Sequence, residues 1–166
     1  MYPYLPPRSG ALRPPLPVRF NEIQGYRLNM TERIVIRGHR GIGETVSGIA
    51  LVADDNFSAR YDLDRINGVF SRPAHALYGQ SYVGRVLVLN TAKGGVATSW
   101  MLREMKSRGM APVALLLNSS NPIMAQGAAF ADLTFMDRFE DDVTVCINTG
   151  DRVTVEPQAG LVTISL

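Results

Sequence analysis

The stretch Thr91-Ala92-Lys93-Gly94-Gly95-Val96-Ala97-Thr98-Ser99 holds the residues whose types and spacing most suggest chemistry. It leaves an apolar run and enters a helical pattern, and ligands of parallel α/β folds bind at such strand-to-helix junctions. A helix N-terminus offers unsatisfied amides and a partial positive charge suited to a carboxylate or phosphate. Gly94 and Gly95 allow close backbone approach. Lys93, one of only two lysines, adds a formal charge. Lys93, Gly94, Gly95, Val96, Thr98 and Ser99 are therefore the expected substrate-binding residues. The same residues also fit a plain glycine turn with Thr98 or Ser99 as N-cap. The spacing is neither a Walker loop nor the GxGxxG of a dinucleotide fold.

The other reactive side chains offer less. His39 and His75 lie in loop-like contexts without an evident partner, as surface or hydrogen-bonding histidines do. Cys146 sits in the alternating run Val143-Thr144-Val145-Cys146-Ile147, which reads as a strand with the thiol as a small buried hydrophobe. Asp137, Glu140, Asp141 and Asp142 read as a solvated acidic loop. Trp100, Met101 and Met105 read as core or as packing against a partner. One cysteine cannot hold a zinc or iron–sulfur cluster alone and two histidines leave little for a His-rich site, so no metal is expected in this chain.

Several elements must position the loop. Arg33–Arg37 and Val46–Val52 read as strands, and Arg85–Asn90 as a strand buried on both faces. A helix is expected from about Thr98 to Arg108, stopped by Gly109 and Pro112. Val113–Leu117 reads as the next buried strand, so residues 85–117 predict a strand–loop–helix–strand unit with parallel strands. Pro122–Ala129 reads as a short helix with proline in its first turn, and Leu133–Met136 as a brief strand. Residues 151–165 read as a hairpin turning at Pro157–Gly160. The sum is an α/β domain with a barrel-like or curved sheet and flanking helices.

The chain has 166 residues, 46% hydrophobic and 19% charged, which suits a folded domain and excludes wholesale disorder. No stretch approaches a membrane span. The formal charge of +2 misleads, because Arg8, Arg13, Arg19 and Arg27 against Glu22 give residues 1–30 a net +3. The remainder is near neutral, so no nucleic-acid surface is expected. Six of the ten prolines fall in residues 1–17. Residues 1–30 therefore read as a disordered extension, or as translated from too early a start with Met30 the true one, and residues 31–166 as the folded domain.

The runs Gly48-Ile49-Ala50-Leu51-Val52 and His75-Ala76-Leu77-Tyr78-Gly79-Gln80-Ser81-Tyr82-Val83-Gly84-Arg85-Val86-Leu87-Val88-Leu89 resemble the small swivelling subunit of aconitase X. So do Lys93-Gly94-Gly95 with its helix, Gly109-Met110-Ala111-Pro112-Val113-Ala114, and Asn121-Pro122-Ile123-Met124-Ala125-Gln126-Gly127-Ala128. The resemblance covers roughly residues 31–166 and implies the mobile β/β/α swivel fold of aconitase-like enzymes. It implies a cytoplasmic hetero-oligomer in which this chain caps a large catalytic subunit carrying iron or an iron–sulfur cluster. The complexes are hydro-lyases acting on small hydroxy acids, cis-3-hydroxy-L-proline or mevalonate 5-phosphate.

One departure bears on mechanism. The phosphomevalonate-type relatives carry a Lys-Gly-Ser-Thr-like loop whose serine is regarded as the proton acceptor, and that serine falls on Gly95 here. The role does not transfer to glycine. Thr98 and Ser99 are the remaining hydroxyls that could act as base, each needing activation by a neighbour, and the base could equally lie on the large subunit. The change favours a hydroxyproline-type substrate. It also leaves room for a non-catalytic scaffold domain on the same fold.

Overall fold

The structure, a computed structural model, describes residues 33–165. The expected extension over residues 1–30 lies outside the described residues. The elements run β1 (Arg33–Arg37), β2 (Val46–Val52), β3 (Leu63–Asp64), β4 (Val69–Phe70), β5 (Val86–Thr91), α1 (Val96–Ser107), β6 (Ala114–Ser119), α2 (Pro122–Phe130), β7 (Thr134–Asp137), α3 (Val143–Cys146), β8 (Arg152–Glu156) and β9 (Leu161–Ser165).

One sheet has the order β1-β9-β8-β2-β5-β6-β7. Its first half is antiparallel and its second half, from β2 through β7, is parallel. Beyond β1 the chain reaches across to the other edge. Ile42 N donates to the Phe135 carbonyl at 2.8 Å, and Phe135 N to the Ile42 carbonyl at 2.9 Å, drawing the sheet into the expected curved, barrel-like form.

The pleat sends alternate side chains into two cores. Leu51, Leu87, Leu89, Leu115, Leu117 and Phe135 pack under α1 and α2 against Leu102, Met105, Met124 and Ala128. Ala50, Val86, Val88, Ala114, Leu116 and Met136 point to the other face, against Val153, Val155, Val162 and Ile164. Both faces of β5 and β6 are thus covered, which accounts for their unbroken apolar runs. Among the described residues no helix is long and apolar enough to cross a membrane.

Two expectations need correction. Val143–Cys146 is a single helical turn, not a strand. Asp142 caps it by accepting from Thr144 N at 2.9 Å, and Val143 fills the inner core. This local cap overrides the β-like alternation of the run. Cys146 is accordingly half-buried rather than buried. Helix α1 also begins at Val96, two residues before Thr98, and its N-cap is Gly95 rather than Thr98 or Ser99.

Candidate functional site

The loop leaving β5 is anchored from beneath. Phe57, in the segment after β2, donates from N to the Thr91 carbonyl at 2.8 Å, and Lys93 N donates to the Phe57 carbonyl at 2.7 Å. With its root pinned, the tip stands clear, and Lys93, Gly94, Gly95 and Val96 are exposed. Gly94 adopts a φ of +123°, and a Cβ there would run into Thr98 Oγ1, so both backbone and space demand glycine. Gly95 is different. It is extended (φ −116°), and a Cβ on it would meet nothing within 4 Å.

No side chain caps α1. Thr98 N turns back to the Gly95 carbonyl at 2.9 Å. The first-turn amides ahead of it are left for water or a ligand, at the positive end of the helix dipole. Thr98 itself is 3% exposed, packed beneath Gly94. Ser99 turns the other way, donating from Oγ to the Ile123 carbonyl at 2.9 Å, and a Cβ on Gly127 would collide with it. The structure thus brings Lys93, Gly94, Gly95 and Val96 together at the open end of β5. It holds Thr98 below them and directs Ser99 into the contact with α2.

Residues not singled out as site residues from sequence complete the surroundings. Asn121 Oδ1 caps α2 by accepting from Met124 N at 2.9 Å, while its Nδ2 donates to the Gly94 carbonyl at 3.3 Å. The proline signalled the first turn of α2, but nothing in the sequence signalled the cap by Asn121 or its bond to the loop. Ser58 Oγ is buried without a hydrogen-bond partner and lies 3.9 Å from where a Cβ on Gly94 would sit. Ser58 N donates to Asp62 Oδ2 at 2.8 Å. Asp62 Oδ1 faces Arg72 Nε at 2.9 Å, off the hydrogen-bonding line, so the contact is an ion pair of a buried carboxylate with a half-exposed guanidinium. His75 is fully enclosed, its Nε2 2.9 Å from the Asn56 carbonyl and its Nδ1 accepting from Leu77 N at 3.0 Å. That pattern makes it a structural histidine with a protonated Nε2. Burial works against ionisation of Asp55 nearby, yet the amides of Ala76 and Asn56 and the His75 ring hold its carboxyl below the usual range.

Beside the loop runs an apolar cleft of about 240 Å³ between α1 and α2, lined by Val96, Trp100, Ile123, Gln126 and Phe130. Trp100, expected in the core or on a partner, is 61% exposed. Its ring meets that of Phe130 edge-on at 5.0 Å, and Arg103 lies 4.4 Å over the other ring. Among the described residues no three His, Cys, Asp or Glu side chains are grouped to hold a metal ion.

The family model of the aconitase X swivel domain matches residues 35–164. The chain belongs to the aconitase X swivel-domain family. A relative from Methanocella arvoryzae, named phosphomevalonate dehydratase small subunit, is 35% identical over 130 residues, 78% of this chain and 98% of the relative. A protein of the same name from Methanothrix thermoacetophila is also 35% identical, over 78% of this chain and 93% of its own length. Among solved structures, holo aconitase X from Thermococcus kodakaraensis superposes with a TM-score of 0.75 at 25% identity, covering 80% of this chain and 99% of that one. The swivel fold expected from the sequence is therefore the fold found.

Proposed function

We propose that this chain is the small subunit of an aconitase X-type hydro-lyase, and that the loop Lys93–Val96 binds the carboxylate of a small hydroxy acid. The observation that carries the reading is the exposed Lys93-Gly94-Gly95 tip ahead of an uncapped helix. The amides of Gly94, Gly95 and Val96 lie beside Lys93 there without an internal partner among the described residues. An iron or iron–sulfur centre is assigned to the large subunit.

In this reading the chain acts by position. The loop amides and Lys93 hold the carboxylate, and docking of the domain over the large subunit excludes water and fixes the substrate's orientation. The exposed Val96, Trp100 and Phe130 border the loop and face the same partner. Gly95 brings no proton acceptor, so the base is Thr98 after a local rearrangement or a residue of the large subunit. Ser99 is a weaker choice because its hydroxyl is already engaged.

Two substrates divide the support. The names of the relatives favour mevalonate 5-phosphate. The glycine in place of the loop serine favours cis-3-hydroxy-L-proline. Mixing the full chain with the large subunit and assaying both acids tests the reading. Dehydration should require both chains, and Lys93→Ala should leave assembly intact while raising KM roughly tenfold or more, the loss of a charge-assisted contact. Equal turnover by the large subunit alone would refute it, and an assembled but wholly inactive pair would favour a scaffold.

A further inference from the structure

Beneath the loop tip lies a buried hydroxyl that the fold does not use. Ser58 is 3% exposed, and its Oγ has no hydrogen-bond partner among the described residues. We infer that Ser58 is a positioning residue for the dehydration, its hydroxyl donating to Thr98 Oγ1 when the loop engages substrate and so readying Thr98 to accept a proton. The inference rests on the small-subunit reading above and deepens it by naming the neighbour that Thr98 needs.

Ser58 holds its place in the fold through its backbone alone. Its N donates to Asp62 Oδ2 at 2.8 Å, and its carbonyl accepts from Asp62 N at 3.0 Å. Arg72 Nε fixes that carboxylate from the other side at 2.9 Å. Phe57, the residue before it, brackets the root of the site loop through the Thr91 carbonyl and the Lys93 amide. Alanine at 58 would keep every one of these bonds. The hydroxyl adds only the penalty of a polar group taken from water and left unpaired. Such groups are few in native structures, and a role in activity is one reason that they persist against their cost in stability.

The surroundings give this hydroxyl a target. Around the point where a Cβ on Gly94 would sit, the three nearest atoms beyond the flanking residues are Thr98 Oγ1, Thr98 Cβ and Ser58 Oγ, the last at 3.9 Å. Two hydroxyls from separate segments therefore border one small space under the tip. Thr98 lies in the first turn of α1, and helical side chains lean toward the N-terminus, which carries its oxygen to that space. The adjacent glycines 94 and 95 let the tip above it shift at low steric cost.

The chemistry needs such a neighbour. A threonine takes a proton from carbon efficiently only when its oxygen has ionised, and both a donated hydrogen bond and the positive end of a helix favour the ionised form. Thr98 gives its own proton to water before the site closes, then takes the substrate's proton from the carbon beside the carboxylate. The electron pair left on carbon forms the double bond as the hydroxyl departs. Ser58 keeps its proton throughout and only donates a hydrogen bond.

Ser58→Ala tests this in the full chain, alone and assembled with the large subunit. Alone, the variant should melt at or above the parental temperature, because it removes an orphaned hydroxyl. Assembled, it is assayed on mevalonate 5-phosphate and cis-3-hydroxy-L-proline. On whichever acid the parent pair dehydrates, kcat should fall roughly tenfold or more with KM nearly unchanged, since the carboxylate contacts stay in place. Thr98→Val should lower kcat roughly a hundredfold. Adding Ser58→Ala to Thr98→Val should then cost nothing more, as for residues acting as a unit. Parental kcat in Ser58→Ala would overturn the role, and so would a loss that persists undiminished in the Thr98→Val background. A lower melting temperature with parental kcat would assign the hydroxyl to a structural bond through buried water and overturn it as well. A parent pair that dehydrates neither acid would favour a scaffold and remove the role together with the small-subunit reading, whereas a working parent pair with an unaffected Ser58→Ala removes the role alone.

Discussion

Asn121 donates a hydrogen bond from Nδ2 to the carbonyl of Gly94 across 3.3 Å, while the other end of the same amide caps α2. The helix terminus and the loop tip are thereby held by one planar group. Asn121→Asp keeps the cap acceptor but replaces the loop donor with an oxygen facing a carbonyl. Its melting temperature should stay near that of the parent while turnover of the assembled complex falls. Asn121→Ala loses both contacts and should cost about 1 kcal/mol by chemical denaturation. Equal activity of Asn121→Asp and the parent would show that the bond does not position the loop.

Gly95 invites the converse change. Its backbone is extended and the space around it open, so Gly95→Ser should fold with stability unchanged or raised by a few tenths of a kcal/mol, serine being the better N-cap. Gly94→Ser should destabilise, because its φ of +123° and the hydroxyl of Thr98 both oppose a side chain. Denaturation curves of the two variants separate these outcomes. If serine at 95 supplies the proton acceptor that the glycine lacks, kcat of the complex on mevalonate 5-phosphate should rise.

Trp100 is held mainly by Phe130 and is otherwise exposed. Trp100→Ala should therefore cost about 1 kcal/mol or less in the isolated chain. Binding of the large subunit, measured by titration calorimetry, should weaken by roughly tenfold or more, as central interface tryptophans do. Unaltered affinity would place the interface elsewhere.

Asp142 sets an acid limit. The hydroxyl of Thr144 and the amide of Asn118, at 2.6 and 2.7 Å, hold its carboxyl below the usual 3.8, with burial opposing them. A depressed folded-state value means stability that is present above about pH 4 and lost as the pH falls through and below that value. Thermal melts from pH 7 to pH 3 should show this decline. Asp142→Asn keeps an acceptor at Oδ1 but does not titrate, so its decline should be shallower. An identical acid limb would assign the effect to other carboxylates.

Much of the framework was legible because burial writes itself into runs. Val86–Leu89 and Ala114–Leu117 are covered on both faces and read as unbroken apolar strands. Pro122 and Pro157–Gly160 carried their local helix-start and turn chemistry openly. Val143–Cys146 misled because its alternation imitates a strand, while a cap from Asp142 and a core place for Val143 decide the matter. The Lys93–Val96 loop was visible because its parts are contiguous. The bond from Asn121 to Gly94 was not, since the two residues lie far apart in the chain and meet only through packing of α2 beside the loop. No local pattern announces a contact of that kind.

The pairing of β1 with β9 sets Arg33 opposite Ser165, so the polypeptide enters and leaves the domain at neighbouring points. During synthesis β1 must wait, its partner β9 being the last of the described strands to be made, and completion of the sheet is a late, long-range event in folding. Once complete, the adjacent ends permit the unit to be spliced into, or appended to, a longer polypeptide without threading. The same geometry makes circular permutation a feasible way to tether the domain to another protein.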